Sequence, residues 1–223
     1  MGSTGAILLA AGRSERMGGV DKLLQPLAGP PVIAHSIACL AAAPAIDHIV
    51  VVASAANREA ISACVEELAP GANVTTGGER RRDSVAAGLA ALPPGCDHVV
   101  IHDGARPLLT PDLIEAALDG ARGTGAAICA VPVRDTVKQA GDDGFVRATL
   151  SREGLWLAQT PQAFRLDLLR RAHAATDSDA TDDAALVEML GEPVRLVRGS
   201  QQNLKLTTPE DFAMAAALLA ARR

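Results

Sequence analysis

The 223-residue sequence has no tyrosine, only three phenylalanines and one tryptophan. Readers of single-stranded RNA or DNA stack bases on aromatic platforms, and so few rings do not furnish one. Positive charge is also short: 21 Lys and Arg against 26 Asp and Glu leave a formal net charge of −5, so no global field recruits nucleic acid. An anionic ligand must therefore be met by local clusters of cations. No apolar run reaches the ~20 residues of a membrane-crossing helix. The opening residues show no basic segment with an apolar run, as a secretory signal would, and Ala6 breaks the myristoylation pattern that Met1-Gly2 would begin. Cys39, Cys64, Cys96 and Cys129 lie far apart with no C-x-x-C spacing. Cys39 and Cys64 fall in Ala-rich helical runs and Cys129 in an apolar strand, which predicts buried free thiols and a reducing, cytoplasmic setting.

What the sequence does have is a hydrophobic fraction of 48% arranged as short β-branched runs alternating with Ala-rich helical stretches. The runs at Ile7–Leu9, His48–Ala53, Val74–Thr76, Val99–Ile101, Ala126–Val131 and Val194–Val197 are too short for helices and read as buried strands. Helical spacing is predicted over Val32–Ala43, Asn57–Leu68, Val85–Leu92, Leu166–Ala175 and Asp182–Leu190, with Thr181 as the cap of the last of these. Thr110-Pro111 and Thr208-Pro209 each place an N-cap before a first-position proline. The alternation predicts an α/β, Rossmann-like fold with a mostly parallel sheet, flanking helices and right-handed crossovers, in a single domain spanning residues 1–223. Ligands of such sheets collect at the carboxyl ends of the strands.

Ala6–Leu24, AILLAAGRSERMGGVDKLL, draws the eye first. A buried strand breaks into Ala10, Ala11 and Gly12, whose small side chains leave backbone N–H groups open to a phosphate chain. Arg13, Arg16 and Lys22 follow, the arginines offering a planar fork to phosphate oxygens and the lysine a mobile point charge. Neither G-x-x-x-x-G-K-[ST] nor G-x-G-x-x-G is present, so the Walker and dinucleotide fingerprints are not met. By itself such a loop also suits an ordinary connection with solvated charges.

A second Gly-rich helix start, Gly77-Gly78-Glu79-Arg80-Arg81-Arg82-Asp83-Ser84, offers Gly78, Asp83 and Ser84 to a base or ribose, with Asp83 or Ser84 as N-cap. At least two of the three arginines read as solvated surface. The strand at Val99–Ile101 delivers Asp103, which suits a magnesium that keeps one or two carboxylates alongside phosphate and water, or a turn in which it pairs with Arg106. Residues 132–158 change character: polar and apolar residues alternate about Gly141-Asp142-Asp143-Gly144, the pattern of a protruding two-stranded hairpin. An isolated hairpin is marginal in water, so it must rest on its own sheet or on a second subunit.

Together these motifs go further. AAG-x-x-x-RMG with Lys22, GG-x-x-x-x-DSV, HD-x-ARP, VPVRDTVK, GLW-x-x-QTPQ, TDDA and a late N-x-K-x-T resemble, in order and over essentially the whole chain, the 2-C-methyl-D-erythritol 4-phosphate cytidylyltransferases of the non-mevalonate isoprenoid pathway. Two departures stand out: the segment between Arg16 and Lys22 is one residue short, and Gly104 stands where Ala is common. The resemblance implies that Arg16 and Lys22 stabilise the α-phosphate, and that Ala10, Ala11, Gly12, Arg13, Gly78, Asp83 and Ser84 hold CTP with Asp103 near Mg2+. It implies Asp135, Thr136, Arg152 and Lys205 for the polyol phosphate, in a homodimer whose hairpin arms reach the partner's site. A ribitol-5-phosphate cytidylyltransferase is the alternative within the class, and a nucleotide-binding regulatory or scaffold protein without turnover the alternative outside it. The attacking phosphate oxygen is already ionised at neutral pH, so no general base is needed, and no Ser/His/Asp or Cys/His constellation is found in the sequence.

Overall fold

Short apolar runs become strands and amphipathic runs become helices largely where the sequence predicts. The structure, a computed structural model, describes residues 2–12 and 21–222. From the N-terminus the chain forms β1 (Ser3–Ala10), α1 (Val32–Ala41), β2 (His48–Ala53), α2 (Arg58–Leu68), β3 (Asn73–Thr76), α3 (Arg81–Ala91) and β4 (Cys96–Asp103). It continues with α4 (Pro111–Thr124), β5 (Ala126–Pro132), β6 (Val137–Ala140), β7 (Val146–Leu150), β8 (Trp156–Arg165), α5 (Leu166–Ala175), α6 (Asp183–Met189), β9 (Arg195–Arg198) and α7 (Pro209–Ala220).

Seven strands make one sheet in the order β3-β2-β1-β4-β8-β5-β9. All neighbours run parallel except β8, which is antiparallel to both β4 and β5. The chain winds outward from β1 through β2 to β3, then returns to the other side of β1 as β4. That reversal opens a crevice between the ends of β1 and β4, where ligands of open α/β sheets bind. The register puts Leu9 opposite Asp103, and Gly104 donates its N–H to the Leu9 carbonyl at 2.9 Å. A Cβ on Gly104 would stand 2.9 Å from that carbonyl and 2.6 Å from Ile33 Cδ1, so the close crossing suits glycine.

Successive side chains of a strand point to opposite faces, and each face here is covered. Ala6, Leu8 and Ala10 pack with α1, α2, α4 and α7, while Ile7 and Val99 pack with α3, α5 and α6. Ile7, Leu8 and Phe164 are fully buried, and each such side chain contributes about 1.5–3 kcal/mol. Thr110 Oγ1 accepts from Leu113 N at the start of α4, and Gly125, at φ 91°, ends it.

The hairpin β6–β7 forms its own two-stranded sheet, outside the main one. Phe145 and Val146 at its tip are 75% and 61% exposed. The arm thus adds no strand to the main sheet, one of the two supports the sequence allows. The sequence predicts no strand at β8, the one that separates β4 from β5.

Candidate active site

The end of β4 carries Asp103, and its carboxylate is the hub of the crevice. Lys205 Nζ lies 2.7 Å from Oδ2, and Arg81 Nε lies 3.8 Å from Oδ1. Arg106 does not pair with the carboxylate as one sequence reading allowed: it donates its backbone N–H to the Asp103 carbonyl in a turn, and its Nη1 to the Asn203 carbonyl at 2.7 Å. Burial works against the ionised Asp103, but Lys205 and Arg81 outweigh it and hold the carboxyl down at about 2. It is therefore a fixed anion at neutral pH.

Asp103 is oriented from behind by a buried polar chain. Its backbone N–H donates to Thr160 Oγ1 at 3.1 Å, and Thr160 meets His102 Nδ1 at 3.1 Å. His102 Nε2 lies 3.1 Å from the Arg106 carbonyl, which makes it the donor and leaves Nδ1 to accept from the threonine hydroxyl. Asn203 Nδ2 donates to the Thr160 carbonyl at 2.7 Å, and Gln159 Nε2 to the Ser200 carbonyl at 2.9 Å. The GLW-x-x-QTPQ strand thus fastens the segment that presents Lys205 to the end of β4.

Two cavities open on either side of this hub. One, of about 250 Å³, is lined by Ala11, Gly12, Lys22, Gly78, Glu79, Arg80 and Ser84. The other, of about 220 Å³, is lined by Arg106, Gln159, Thr160, Gln162, Thr181 and Asp182. Arg81, Asp103 and Lys205 line both. The second cavity is also lined by two residues with a buried polar atom that finds no partner among the described residues, Arg106 Nε and Gln162 Oε1. Such groups are costly to leave unmade, and they are the donors and acceptors a hydroxylated ligand would satisfy.

The predicted residues divide accordingly. Ala11, Gly12, Lys22, Gly78, Ser84, Asp103 and Lys205 come together around the first cavity. Arg13 and Arg16 lie outside the described residues. Ala10 is buried, its carbonyl accepting from Asn57 Nδ2 at 2.9 Å; the same amide reaches Asp21 Oδ2 at 2.6 Å. Asp21 caps the short turn Lys22–Leu24 through Leu23 N, so Asn57, which the sequence reading missed, ties Lys22 to the end of β1. Asp135, Thr136 and Arg152 are exposed at the base of the arm and line neither cavity of their own chain. The Arg152 guanidinium donates to the Arg134 carbonyl.

Four expectations are corrected. Neither Asp83 nor Ser84 is the N-cap of α3, because the helix starts earlier, at Arg81. Arg80 is the cap, and Asp83, at the third position, accepts from Arg80 N at 3.3 Å and from its guanidinium at 2.8 and 2.9 Å. The arginines are not a solvated surface. Arg82 Nη1 and Nη2 donate to the Thr176, Ser178 and His173 carbonyls, and Arg81 Nη1 to Asp183 Oδ2 at 2.6 Å. Thr181 does not cap α6; Asp182 does, accepting from Ala185 N, and its other oxygen takes Gln162 Nε2 at 2.8 Å. Cys39 and Cys64, expected buried, are half-buried, whereas Cys96 and Cys129 are buried; all four are free.

No cluster of three or more His, Cys, Asp or Glu that could hold a metal ion exists among the described residues. The donor set therefore does not fit a metal caged by protein. It does fit magnesium, which dehydrates reluctantly and is held by one or two carboxylates together with phosphates and waters: Asp103 is such a carboxylate, ionised and on the wall of the cavity that contains Gly12 and Lys22. No helix among the described residues is long and apolar enough to cross a membrane.

Comparison with known proteins bears on the family and the fold. A sequence model of 2-C-methyl-D-erythritol 4-phosphate cytidylyltransferases matches residues 4–221. A protein of that name from Pelotomaculum thermopropionicum is 48% identical over all of this chain and 97% of its own. Another from Dehalococcoides mccartyi is 46% identical over 96% of this chain and 95% of its own. The crystal structure of 4-diphosphocytidyl-2C-methyl-D-erythritol synthase from Anaerococcus prevotii superposes with a TM-score of 0.86 at 31% identity, covering 98% of both chains.

Proposed function

We propose a working of the site from the premise that this chain belongs to the 2-C-methyl-D-erythritol 4-phosphate cytidylyltransferase family. The enzyme is a nucleotidyltransferase that joins CTP and 2-C-methyl-D-erythritol 4-phosphate to give 4-diphosphocytidyl-2-C-methyl-D-erythritol and pyrophosphate; ribitol 5-phosphate is not the favoured acceptor. The first cavity takes CTP: Ala10, Ala11, Gly12 and Arg13 follow the triphosphate, and Gly78, Asp83 and Ser84 the nucleoside. The second takes the polyol phosphate. The observation that carries this division is the hub itself, with Arg81, Asp103 and Lys205 on the walls of both cavities.

In the reaction a phosphate oxygen of the acceptor attacks the α-phosphorus of CTP in line. A new P–O bond forms as the bond to the β-phosphate breaks, and pyrophosphate leaves with the electron pair. No proton moves, so what the site must supply is alignment of two anions and stabilisation of charge on the α-phosphate. Lys22 and Arg16 supply the latter, and Lys205 holds the incoming phosphate next to it. Magnesium, held by Asp103 and phosphate oxygens, would neutralise charge along the triphosphate.

Residues 1–223 act as one nucleotidyltransferase domain with residues 132–158 as an arm. Asp135, Thr136 and Arg152 bind the acceptor in the neighbouring subunit of a homodimer. The exposed apolar tip at Phe145 and Val146, and the absence of Asp135, Thr136 and Arg152 from the walls of both cavities of their own chain, support that reading. The free thiols support a cytoplasmic setting.

Pyrophosphate release from CTP with magnesium, measured side by side for both acceptors, tests the proposal. Methylerythritol phosphate is expected to exceed ribitol 5-phosphate in kcat/KM by at least ~100-fold, the discrimination a site with placed hydrogen-bond partners can reach. Equal use of the two would overturn the assignment of the second cavity.

A further inference from the structure

We infer that Arg81 is a catalytic cation of this reaction, touching the phosphoryl group as it passes from pyrophosphate to the acceptor. The inference rests on the division of cavities proposed above. Arg81 opens α3 and stands where the two cavities meet. Its side chain is 27% exposed and that of its partner Asp183 only 1%. Nη1 is spent on Asp183 Oδ2 at 2.6 Å, and the other Asp183 oxygen is held by His173 Nε2 at 2.9 Å. His173 Nε2 faces the Asp183 carboxylate, an acceptor, so the ring carries its hydrogen there, and Nδ1 is buried with no partner among the described residues.

A guanidinium kept only to join α3 to α6 would be expected to satisfy its whole fork inside the protein. Here one edge alone is anchored. Nε stands 3.8 Å from Asp103 Oδ1, beyond hydrogen-bond reach, and Nη2 makes no hydrogen bond among the described residues. The unspent donors belong to the wall shared by CTP and acceptor, where charge on the transferred phosphoryl group is greatest. Donors fixed before the reaction are the ones that stabilise such charge best, because they need not reorganise during it. Lys205 spends its charge first on Asp103 at 2.7 Å, whereas the buried Asp183–His173 pair fixes Arg81 from behind and leaves its other edge open. The planar fork also suits two phosphate oxygens at once.

The test compares Arg81→Ala, the double variant Arg81→Ala/Asp183→Asn, and Lys205→Ala with the wild-type enzyme. The double variant removes the carboxylate that the single one would leave buried without the Arg81 cation, held by His173 alone. The expected result for both Arg81 variants is a kcat lower by ~100-fold or more with KM for CTP within ~5-fold. Added guanidinium should restore ~10-fold in Arg81→Ala and nothing in the wild type, since a small cation can reoccupy the vacated wall. A folded double variant that turns over within ~3-fold of wild type would overturn the inference, as would a loss that tracks the melting temperature and ignores guanidinium. Retained turnover in the Arg81 variants beside an inactive Lys205→Ala would refute only the role of Arg81. Full turnover in Lys205→Ala would refute the underlying reading of the site.

Discussion

Lys205 Nζ and Asp103 Oδ2 stand 2.7 Å apart, joining residues separated by 102 positions in the chain. The contact closes the crevice from the C-terminal side, because Lys205 lies between the end of β9 and the start of α7 and reaches back to the end of β4. It also leaves a cation next to the cavity bordered by Arg106 Nε and Gln162 Oε1.

Replacing Lys205 with Met should therefore damage acceptor use most. We expect kcat/KM for methylerythritol phosphate to fall by ~100-fold or more, while KM for CTP changes by less than ~5-fold. Steady-state kinetics with each substrate varied in turn would show it. A loss confined to CTP would contradict the placement of Lys205 beside the acceptor.

His102 is fully buried, and that burial pushes its pKa from 6.5 down to about 4. The unfolded chain takes up a proton below the ordinary value, whereas the folded chain does not until the lower one. Its contribution to stability is thus complete above pH 6.5 and is lost as the pH falls towards about 4, with a slope of at most ~1.4 kcal/mol per pH unit. Urea unfolding of the ligand-free protein across this window should show the decline, and His102→Gln should flatten it. Equal slopes in the two proteins would contradict the prediction.

Arg152 and Lys205 belong, on the proposed reading, to one active site built from two subunits. Arg152→Ala and Lys205→Ala should each be inactive alone. Unfolded together and refolded, they should recover about a quarter of wild-type activity, since about half the dimers are mixed and each mixed dimer has one intact site of two. No recovery from a mixture that sediments as dimers would show that the arm serves its own subunit.

Cys129 has no exposed surface, its thiol donates to the Leu113 carbonyl, and burial raises its pKa to about 12. It should resist a disulfide reagent at pH 8, because the thiolate is the reacting form. Cys39, half-buried and raised to about 11 by burial, should react slowly. In denaturant all four cysteines should react at one common rate. Rapid labelling of Cys129 in the folded protein would contradict its place in β5.

Much of the sheet was legible because its strands announce themselves by composition. His48–Ala53 carries four consecutive β-branched residues, Ile49 to Val52, and appears with the predicted bounds, and Leu166–Ala175 likewise keeps its helical apolar face. β8 was not legible because its buried stretch, Gln159–Phe164, opens on Gln159, Thr160 and Gln162, polar residues whose partners in Ser200, Asp103 and Asp182 no local pattern names. The arginines of α3 misled for the same reason. Three adjacent guanidinium groups look solvated until the fold brings up the carbonyls of 173–178 and the carboxylate of Asp183. Motif order, by contrast, pointed to Asp103, Lys22 and Lys205, whose convergence only the topology explains.

The central claim is that cations gathered around Asp103 act on the reaction more than on the binding of nucleotide. It is tested most directly by measuring kcat and the CTP dissociation constant of Lys22→Ala. The account predicts a kcat lower by ~100-fold or more with a CTP Kd within ~5-fold of wild type. A variant with near-normal turnover and weak CTP affinity would contradict it.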